Sequence, residues 1–226
     1  MASWNKAAAL VDLGYTDYVA AYGLQLGLVE KRRQGTACDT YLVTEHPATF
    51  TLGRRGGREN LMVTEEFLRE KGIPLVHIER GGDITFHGPG QLVVYPILQL
   101  REAGLSVTDY VFRLEELMIR LAAAQGVTAV RDPRNHGVWV GGKKLGSVGI
   151  AIRHGISFHG LALNVCLDLT PFSWVNPCGL TGVKMTTVSR ECGREVSVAE
   201  IKQNLARHLA EIFDRDFTRQ DDICFA

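Results

Sequence analysis

The sequence has no excess of charge of either sign and no long apolar run. Lys and Arg together number 25, as do Asp and Glu, so the formal net charge is zero. Without a basic stripe, a nucleic-acid-binding surface is not expected. No stretch is apolar enough to cross a bilayer, and the first residues do not resemble a secretory signal. These absences predict a cytoplasmic protein with no membrane segment and no nucleic-acid partner.

Paired cysteines are also lacking. The five cysteines are scattered, and none forms a C-x-x-C pair. This spacing indicates neither a zinc site nor a disulfide framework, so no metal is expected. Low-complexity linkers and internal repeats are absent as well, which favours a single domain over residues 1–226.

Hydrophobic periodicity predicts helices and strands in mixed order, and hence an α+β domain built on a mixed sheet with packed helices. The predicted helices are residues 18–34, 107–124 and 198–213, with a further helix capped by Thr64. The predicted strands are residues 40–44, 75–79, 91–98, 128–131, 137–140, 144–153 and 157–165. Residues 47–60, rich in glycine and arginine, are predicted to form a loop.

The most informative stretch is residues 80–91, which holds four glycines, an arginine and a histidine in twelve positions. Glycine at this density lets the backbone adopt unusual angles and approach a ligand closely. A tight turn needs only one or two glycines. The stretch is therefore interpreted as the wall of a binding site anchored to the strand that follows it.

Two residues are candidates for nucleophilic chemistry. Cys178 lies between Pro177 and Gly179, in a turn of the kind that presents a side chain to a cleft. A thiol becomes a nucleophile only if a nearby cation, base or helix terminus raises its thiolate fraction. Lys144 adjoins Lys143 after a predicted hairpin at Gly141-Gly142, and neighbouring strand residues face opposite sides. If the sheet has one buried face, the two lysines cannot both point to solvent, and an inward lysine with a perturbed pKa can act as a base.

Each candidate also has a simple structural interpretation. A cysteine is most often a small buried residue, and two turn lysines are most often solvated. Of the histidines, His87 lies in the glycine-rich stretch and His159 on a predicted apolar strand, each beside glycine. Histidines on such strands are commonly structural, so the residues alone leave these roles open.

Taken together, four motifs of this sequence closely resemble those of the lipoyl(octanoyl) transferases, the acyl transferases of lipoate biosynthesis. They occur in the family's order and cover roughly residues 40 to 190. The motifs are residues 80–91 (RGGDITFHGPGQ), 142–149 (GKKLGSVG), 158–165 (FHGLALNV) and 176–180 (NPCGL).

The resemblance implies the fold of biotin and lipoate protein ligases and a set of site residues. Cys178 would form the acyl thioester, and Lys144 would lower the pKa of its thiol. His159 is the candidate for orienting this cysteine–lysine pair. The acyl-substrate pocket would be lined by Arg80, Gly81, Gly82, Asp83, Ile84, Thr85, Phe86, His87, Ser147, Val148, Gly149, Gly160, Leu161 and Ala162.

The resemblance also implies partners and a reaction. Octanoyl-acyl carrier protein would donate the acyl group to Cys178, and a lysine of a lipoyl domain would accept it. The acceptors would be the lipoyl domains of 2-oxoacid dehydrogenases and the glycine cleavage H protein. Thioester exchange is nearly balanced in energy, so neither ATP nor a cofactor is expected. A monomer is the expected state.

Three other functions fit parts of the pattern. An ATP-dependent lipoate or biotin protein ligase would use the arginine and glycine loop to hold an acyl-adenylate, and Lys144 would stay charged. Such a ligase needs no cysteine nucleophile. A cysteine hydrolase would release free octanoate, and a non-catalytic acyl-binding module would leave Cys178 unreactive.

Overall fold

A computed structural model describes residues 6–176 and 182–218 of the chain. Within them, the main sheet has eight strands. In spatial order these are β11 (Asp216–Thr218), β1 (Ala7–Tyr15), β2 (Asp39–Glu45), β6 (Gln91–Ile97), β10 (Ile156–Asn164), β9 (Lys143–Arg153), β8 (Gly137–Val140) and β7 (Val130–Arg131). Strand β1 pairs in parallel with β2 and β11, and the remaining pairs are antiparallel. The predicted mixed sheet is confirmed.

Helices cover both faces of this sheet. Helix α1 (Tyr18–Arg33) lies on one face, where it packs on β6 and β10. The other face is covered by α3 (Val107–Ala123), α5 (Val198–Lys202) and α6 (Leu205–Phe213). Apolar side chains on both faces of the central strands, such as Val94 and Tyr95, are therefore buried. This two-faced burial explains why residues 91–97 read as a continuous apolar run.

Local signals place the helix ends. Asp17 accepts hydrogen bonds from two amides of the first turn of α1. Ser106 and Asp109 form a capping box at the start of α3. Thr64 caps α2 (Glu65–Glu70) by accepting a hydrogen bond from the Phe67 amide, as predicted. A last short helix, α4 (Val188–Cys192), follows residues 182–187.

A second, three-stranded sheet lies beside the main one. Strand β3 (Thr49–Leu52) pairs in parallel with β4 (Leu75–His77) and antiparallel with β5 (Ile84–His87). Phe50, Leu52 and Ile84 form its core with the short helix Thr170–Trp174. The prediction of a loop over residues 47–60 was therefore wrong for its first part, and part of the glycine-rich stretch is a strand.

Other boundaries differ from the prediction too. Strands β1 and β11 were not predicted, and the predicted helix over residues 198–213 is interrupted at Gln203 and Asn204. The predicted strands 75–79 and 128–131 are shorter. Among the described helices, none is long and apolar enough to span a membrane.

Candidate active site

A narrow pocket lies where the glycine-rich stretch meets strands β6, β9 and β10. All the pocket residues predicted from the resemblance line it, with the exception of Asp83, Ile84 and Phe86. Four further lining residues were not predicted from the sequence, because they lie outside its motifs or inside an apolar run. These are Tyr18, Val93, Tyr95 and Asn135.

Two glycines allow the walls of this pocket to approach each other. A Cβ at Gly160 would stand 2.1 Å from the Val94 carbonyl oxygen of the neighbouring strand. A Cβ at Gly149 would stand 3.0 Å from Cδ of Arg80. At this point the Gly81 amide donates a 2.8 Å hydrogen bond to the Ile150 carbonyl oxygen. The absence of side chains at these glycines lets the loop cross β9 directly.

Strand alternation explains why two of the three predicted residues miss the pocket. On β5, Thr85 and His87 face the pocket, whereas Ile84 and Phe86 point to the opposite side and pack in the core of the small sheet. Assigning the whole run from Ile84 to His87 to the pocket was therefore wrong for Ile84 and Phe86.

Asp83 holds a neighbouring segment in place instead. Its carboxylate accepts a 2.6 Å hydrogen bond from the Asn60 side-chain amide, and the Asn60 carbonyl oxygen accepts one of 2.8 Å from the Asn176 amide. Asp83 also lines a wider cleft next to the pocket. Through Asn60 it therefore anchors the chain just before residue 177.

Arg80 forms a buried part of the pocket wall, beside Gly149. Its guanidinium donates to the Thr51 carbonyl oxygen at 2.6 Å, to the Thr51 hydroxyl, and to the Gly81 carbonyl oxygen. A planar fork of donors suits this set of acceptors better than an ammonium would. The bonds tie the glycine-rich stretch to strand β3.

Lys144 is the second buried cation. Its side chain is 1% exposed, and its Nζ donates a 2.8 Å hydrogen bond to Oδ1 of Asn135. Lys143 lies on the opposite side of the strand, half-buried, in an ion pair with Glu191. The two lysines therefore do not both point to solvent, and the alternative of two solvated turn lysines is wrong. The glycines of the hairpin before it have φ of 53° and 78°, as a tight two-residue turn requires.

The segment after the predicted nucleophile runs beside Lys144. The Lys144 amide donates to the Lys184 carbonyl oxygen at 2.8 Å, and the Thr186 amide donates to the Lys144 carbonyl oxygen at 2.9 Å. Met185 thus forms a parallel bridge with Lys144. Cys178 itself lies outside the described residues, but the chain is anchored on either side of it, at Asn176 and at residues 184–186.

Asn135 joins the pocket to the wider cleft. The cleft measures about 690 Å³ and shares Asn135, Gly81, Gly82, Val148 and Gly149 with the pocket. Its other walls carry both signs of charge: Arg55, Arg131 and Arg134 with Asp83, Glu115 and Asp132. The Lys144 ammonium therefore donates a hydrogen bond to a residue, Asn135, that lies where the narrow pocket opens into the polar cleft.

His159 lies at the other end of the pocket. It pairs with Ile150, which is six positions beyond Lys144 on β9, so the backbones of Lys144 and Ile150 are about 20 Å apart along the strand. Its ring stacks on Tyr22 at 5.4 Å, and its backbone has φ of 55°, which disfavours most residues other than glycine. Neither ring nitrogen has a hydrogen-bond partner among the described residues. This placement makes His159 a residue of the pocket wall, and its role in orienting the cysteine–lysine pair stays a prediction.

Burial keeps the pocket histidines neutral. It lowers the pKa of His87 to about 3, with His46 and the Arg80 guanidinium adding to the effect. It also lowers the pKa of His159 to about 3, again with a contribution from Arg80. His46, whose Nε2 lies 2.8 Å from the Tyr95 hydroxyl, has its pKa lowered by burial too. At neutral pH these rings are therefore uncharged.

Sequence comparison identifies relatives over nearly the whole chain. Residues 17–210 match the lipoyl protein ligase A/B catalytic domain. An octanoyltransferase of Desulfotalea psychrophila is 54% identical over 95% of this chain and 97% of its own length. An octanoyltransferase of Syntrophobacter fumaroxidans is 49% identical over 94% of this chain and 93% of its own.

Solved structures show the same fold at low identity. The bipartite lipoate protein ligase from Thermoplasma acidophilum, studied with its E2 lipoyl domain, has a TM-score of 0.72 at 18% identity and covers 94% of this chain and 86% of its own. Biotin protein ligase from Aquifex aeolicus, in complex with biotin and ATP, has a TM-score of 0.57 at 13% identity, covering 91% and 70%. The fold predicted from the resemblance is confirmed.

Proposed function

The chain belongs to the family of lipoyl protein ligase A/B catalytic domains, and we propose that it transfers octanoyl groups through a thioester on Cys178. Octanoyl transfer in protein lipoylation is the activity of its octanoyltransferase relatives, and the chain is an acyltransferase of this kind. The observation that carries the mechanism is the buried Lys144. Its Nζ is bound by Asn135, which lines both the narrow pocket and the wider cleft, and residues 184–186, which follow the Cys178 segment, run beside it.

In the first half-reaction, Sγ of Cys178 attacks the carbonyl carbon of the octanoyl thioester on acyl carrier protein. The new C–S bond forms as the bond to the donor thiol breaks. The positive charge of Lys144 stabilises the thiolate, and its Nζ passes a proton to the departing thiol. One thioester replaces another, so no ATP is consumed.

In the second half-reaction, the amine of a lipoyl-domain lysine attacks the same carbonyl carbon. An amide forms, Cys178 leaves as a thiolate, and the proton lost by the amine passes to Lys144. An amide is more stable than a thioester, so this step drives the sequence forward. The acceptors in this proposal are the lipoyl domains of 2-oxoacid dehydrogenases and the glycine cleavage H protein.

The two cavities divide the substrate between them. The octanoyl chain occupies the narrow pocket between Ser147 and His159, where Ser147, Val148 and Gly149 of strand β9 line the wall. The wider cleft beyond Asn135 receives the arm that carries the donor thioester. A reactive free thiol suits the reducing cytoplasm, where we place the reaction.

The competing function on this fold is ATP-dependent ligation. The test is octanoyl transfer to a lipoyl domain, measured with octanoyl-acyl carrier protein alone and with free octanoate plus ATP. The variants are Cys178→Ala and Lys144→Met, with Lys143→Met as the matched control on the opposite side of the strand.

We expect transfer from the carrier protein without ATP, abolished by Cys178→Ala. Lys144→Met should lower the rate by about 100-fold or more, the usual contribution of a positioned acid–base group. Lys143→Met should keep it. Acylation that requires ATP and survives Cys178→Ala would establish a ligase, whereas release of octanoate without an acceptor would establish a hydrolase.

A further inference from the structure

A chain of buried amide side chains links the glycine-rich stretch to the segment beside Lys144. Nδ1 of His87 lies 2.8 Å from Oε1 of Gln91, and Nε2 of Gln91 lies 2.9 Å from Oδ1 of Asn164. Nδ2 of Asn164 then donates to the Thr186 carbonyl oxygen at 3.1 Å. Gln91 and Asn164 are no more than 2% exposed. Buried side chains joined in this way hold one another in a single arrangement.

This series of hydrogen-bonded amides ends at Thr186, whose backbone is hydrogen-bonded to that of Lys144. Asn164 follows the Leu163–Gly146 pair and is therefore level with Leu145 on the neighbouring strand. Thr186, whose carbonyl oxygen it binds, donates its own amide to the Lys144 carbonyl oxygen. Asn164 thus adds a side-chain hydrogen bond at Thr186 to the two backbone bonds that hold residues 184–186 against β9 at Lys144.

Two backbone carbonyls set the direction of every hydrogen bond in the chain. The Thr186 carbonyl oxygen can only accept, so Asn164 presents its NH₂ to it and its oxygen to Gln91. Gln91 must therefore donate to Asn164, and the same NH₂ lies 3.3 Å from the Phe86 carbonyl oxygen. The oxygen of Gln91 is left facing His87. His87 must then carry its hydrogen on Nδ1, which leaves Nε2 as an acceptor in the neutral ring.

We propose that Gln91 and Asn164 are positioning residues for acyl transfer. They hold residues 184–186 against Lys144, and they fix His87, a residue of the pocket wall, in the Nδ1–H form. Neither touches the reacting atoms; they act through the segment that follows Cys178 and through the His87 ring. This inference rests on the proposed function for the part that concerns catalysis, whereas the His87 form is independent of it.

The catalytic part is tested with Asn164→Ala and Asn164→Ser, against Ser157→Ala as control. Ser157 lies on the same strand, is equally buried, and loses hydrogen bonds to Leu98 and Pro96 that have no connection to Lys144. We expect kcat for octanoyl transfer to fall ten-fold or more in both Asn164 variants, with KM for the donor within two-fold of wild type. The Ser157→Ala control should keep kcat within two-fold of wild type, although its melting temperature should fall by about as much as that of the Asn164 variants.

The His87 form is read from a long-range ¹H–¹⁵N spectrum of the wild-type ring, assigned with His87→Gln. At pH 7 we expect a protonated Nδ1 and an unprotonated Nε2, and a mixture of forms once Gln91→Met removes the acceptor. A wild-type ring protonated on Nε2 would overturn this part.

The catalytic part is overturned if Lys144→Met is inactive but Asn164→Ala and Asn164→Ser keep the kcat of the Ser157→Ala control. If Lys144→Met instead retains full activity, the proposed function fails and the catalytic part falls with it. The two failures therefore give different patterns of variants.

Discussion

The buried histidines predict a steep loss of stability between pH 7 and pH 5. His87 and His159 each have a pKa of about 3 in the folded protein, against 6.5 for an unperturbed histidine. Their folded pKa is depressed, so the stability they contribute is present above pH 6.5 and is lost as the pH falls towards 3. In this window the unfolded state binds one more proton per histidine.

The magnitude follows from this difference in protons. Each histidine changes the free energy of unfolding by about 1.4 kcal/mol per pH unit once the unfolded form is fully protonated. Between pH 7 and pH 5 the loss is about 2 kcal/mol for each, or about 4 kcal/mol for both. Typical domains have about 5–15 kcal/mol in total, so a change of this size is easily measured. The exposed carboxylates with lowered pKa, such as Asp132 at about 2, titrate below this window.

The assay is urea unfolding at pH 5, 6 and 7 for wild type, His159→Asn and His77→Asn. Asparagine tolerates the positive φ at position 159, so the first variant removes a titrating ring without a new backbone strain. It should show a loss about 2 kcal/mol smaller than that of wild type. His77 is exposed, and its variant should retain the full loss. An unfolding free energy that stays level from pH 7 to pH 5 in wild type would refute the reasoning.

Three further predictions follow from single contacts. Gly160→Ala should lower the free energy of unfolding in urea by about 3 kcal/mol, because its Cβ would meet the Val94 carbonyl oxygen. The control Gly27→Ala lies in open space on α1 and should raise the free energy of unfolding by about 0.5–1 kcal/mol. Equal effects of the two substitutions would contradict this prediction. Asn135→Leu should lower kcat about ten-fold or more by removing a hydrogen-bond acceptor of Lys144, and an unchanged kcat would show that this bond is dispensable. Arg80→Lys should cost about 1–3 kcal/mol of stability, since an ammonium lacks the planar fork of donors that reaches Thr51 and Gly81 together; a loss below about 0.5 kcal/mol would argue against it.

Local patterns were sufficient for the elements whose signals are close in sequence. The periodicity of α1 and α3, the Thr64 cap and the hairpin at Gly141-Gly142 were all predicted. Strands β1, β3, β5 and β11 were not, because they are short or irregular in pattern and depend on partners far along the chain. Tertiary pairing overrides local preference at these strands.

The site shows the same limit at the level of single residues. The motifs identified Lys144 and most of the pocket wall, but a motif does not reveal which way each residue points. Alternation on β5 turned Ile84 and Phe86 away from the pocket, and register placed His159 opposite Ile150, in the pocket wall. Asn135 lies between β7 and β8 with no motif around it, so only the fold brings it to Lys144.

The most direct test of the account is the mass of the intact protein after mixing with octanoyl-acyl carrier protein in the absence of ATP. We predict that wild type gains one octanoyl group and that Cys178→Ala gains none. Adding a lipoyl domain should return the enzyme to its original mass while the domain gains the same increment. An unmodified wild-type enzyme alongside an acylated lipoyl domain, or an adduct that persists in Cys178→Ala, would contradict the thioester mechanism.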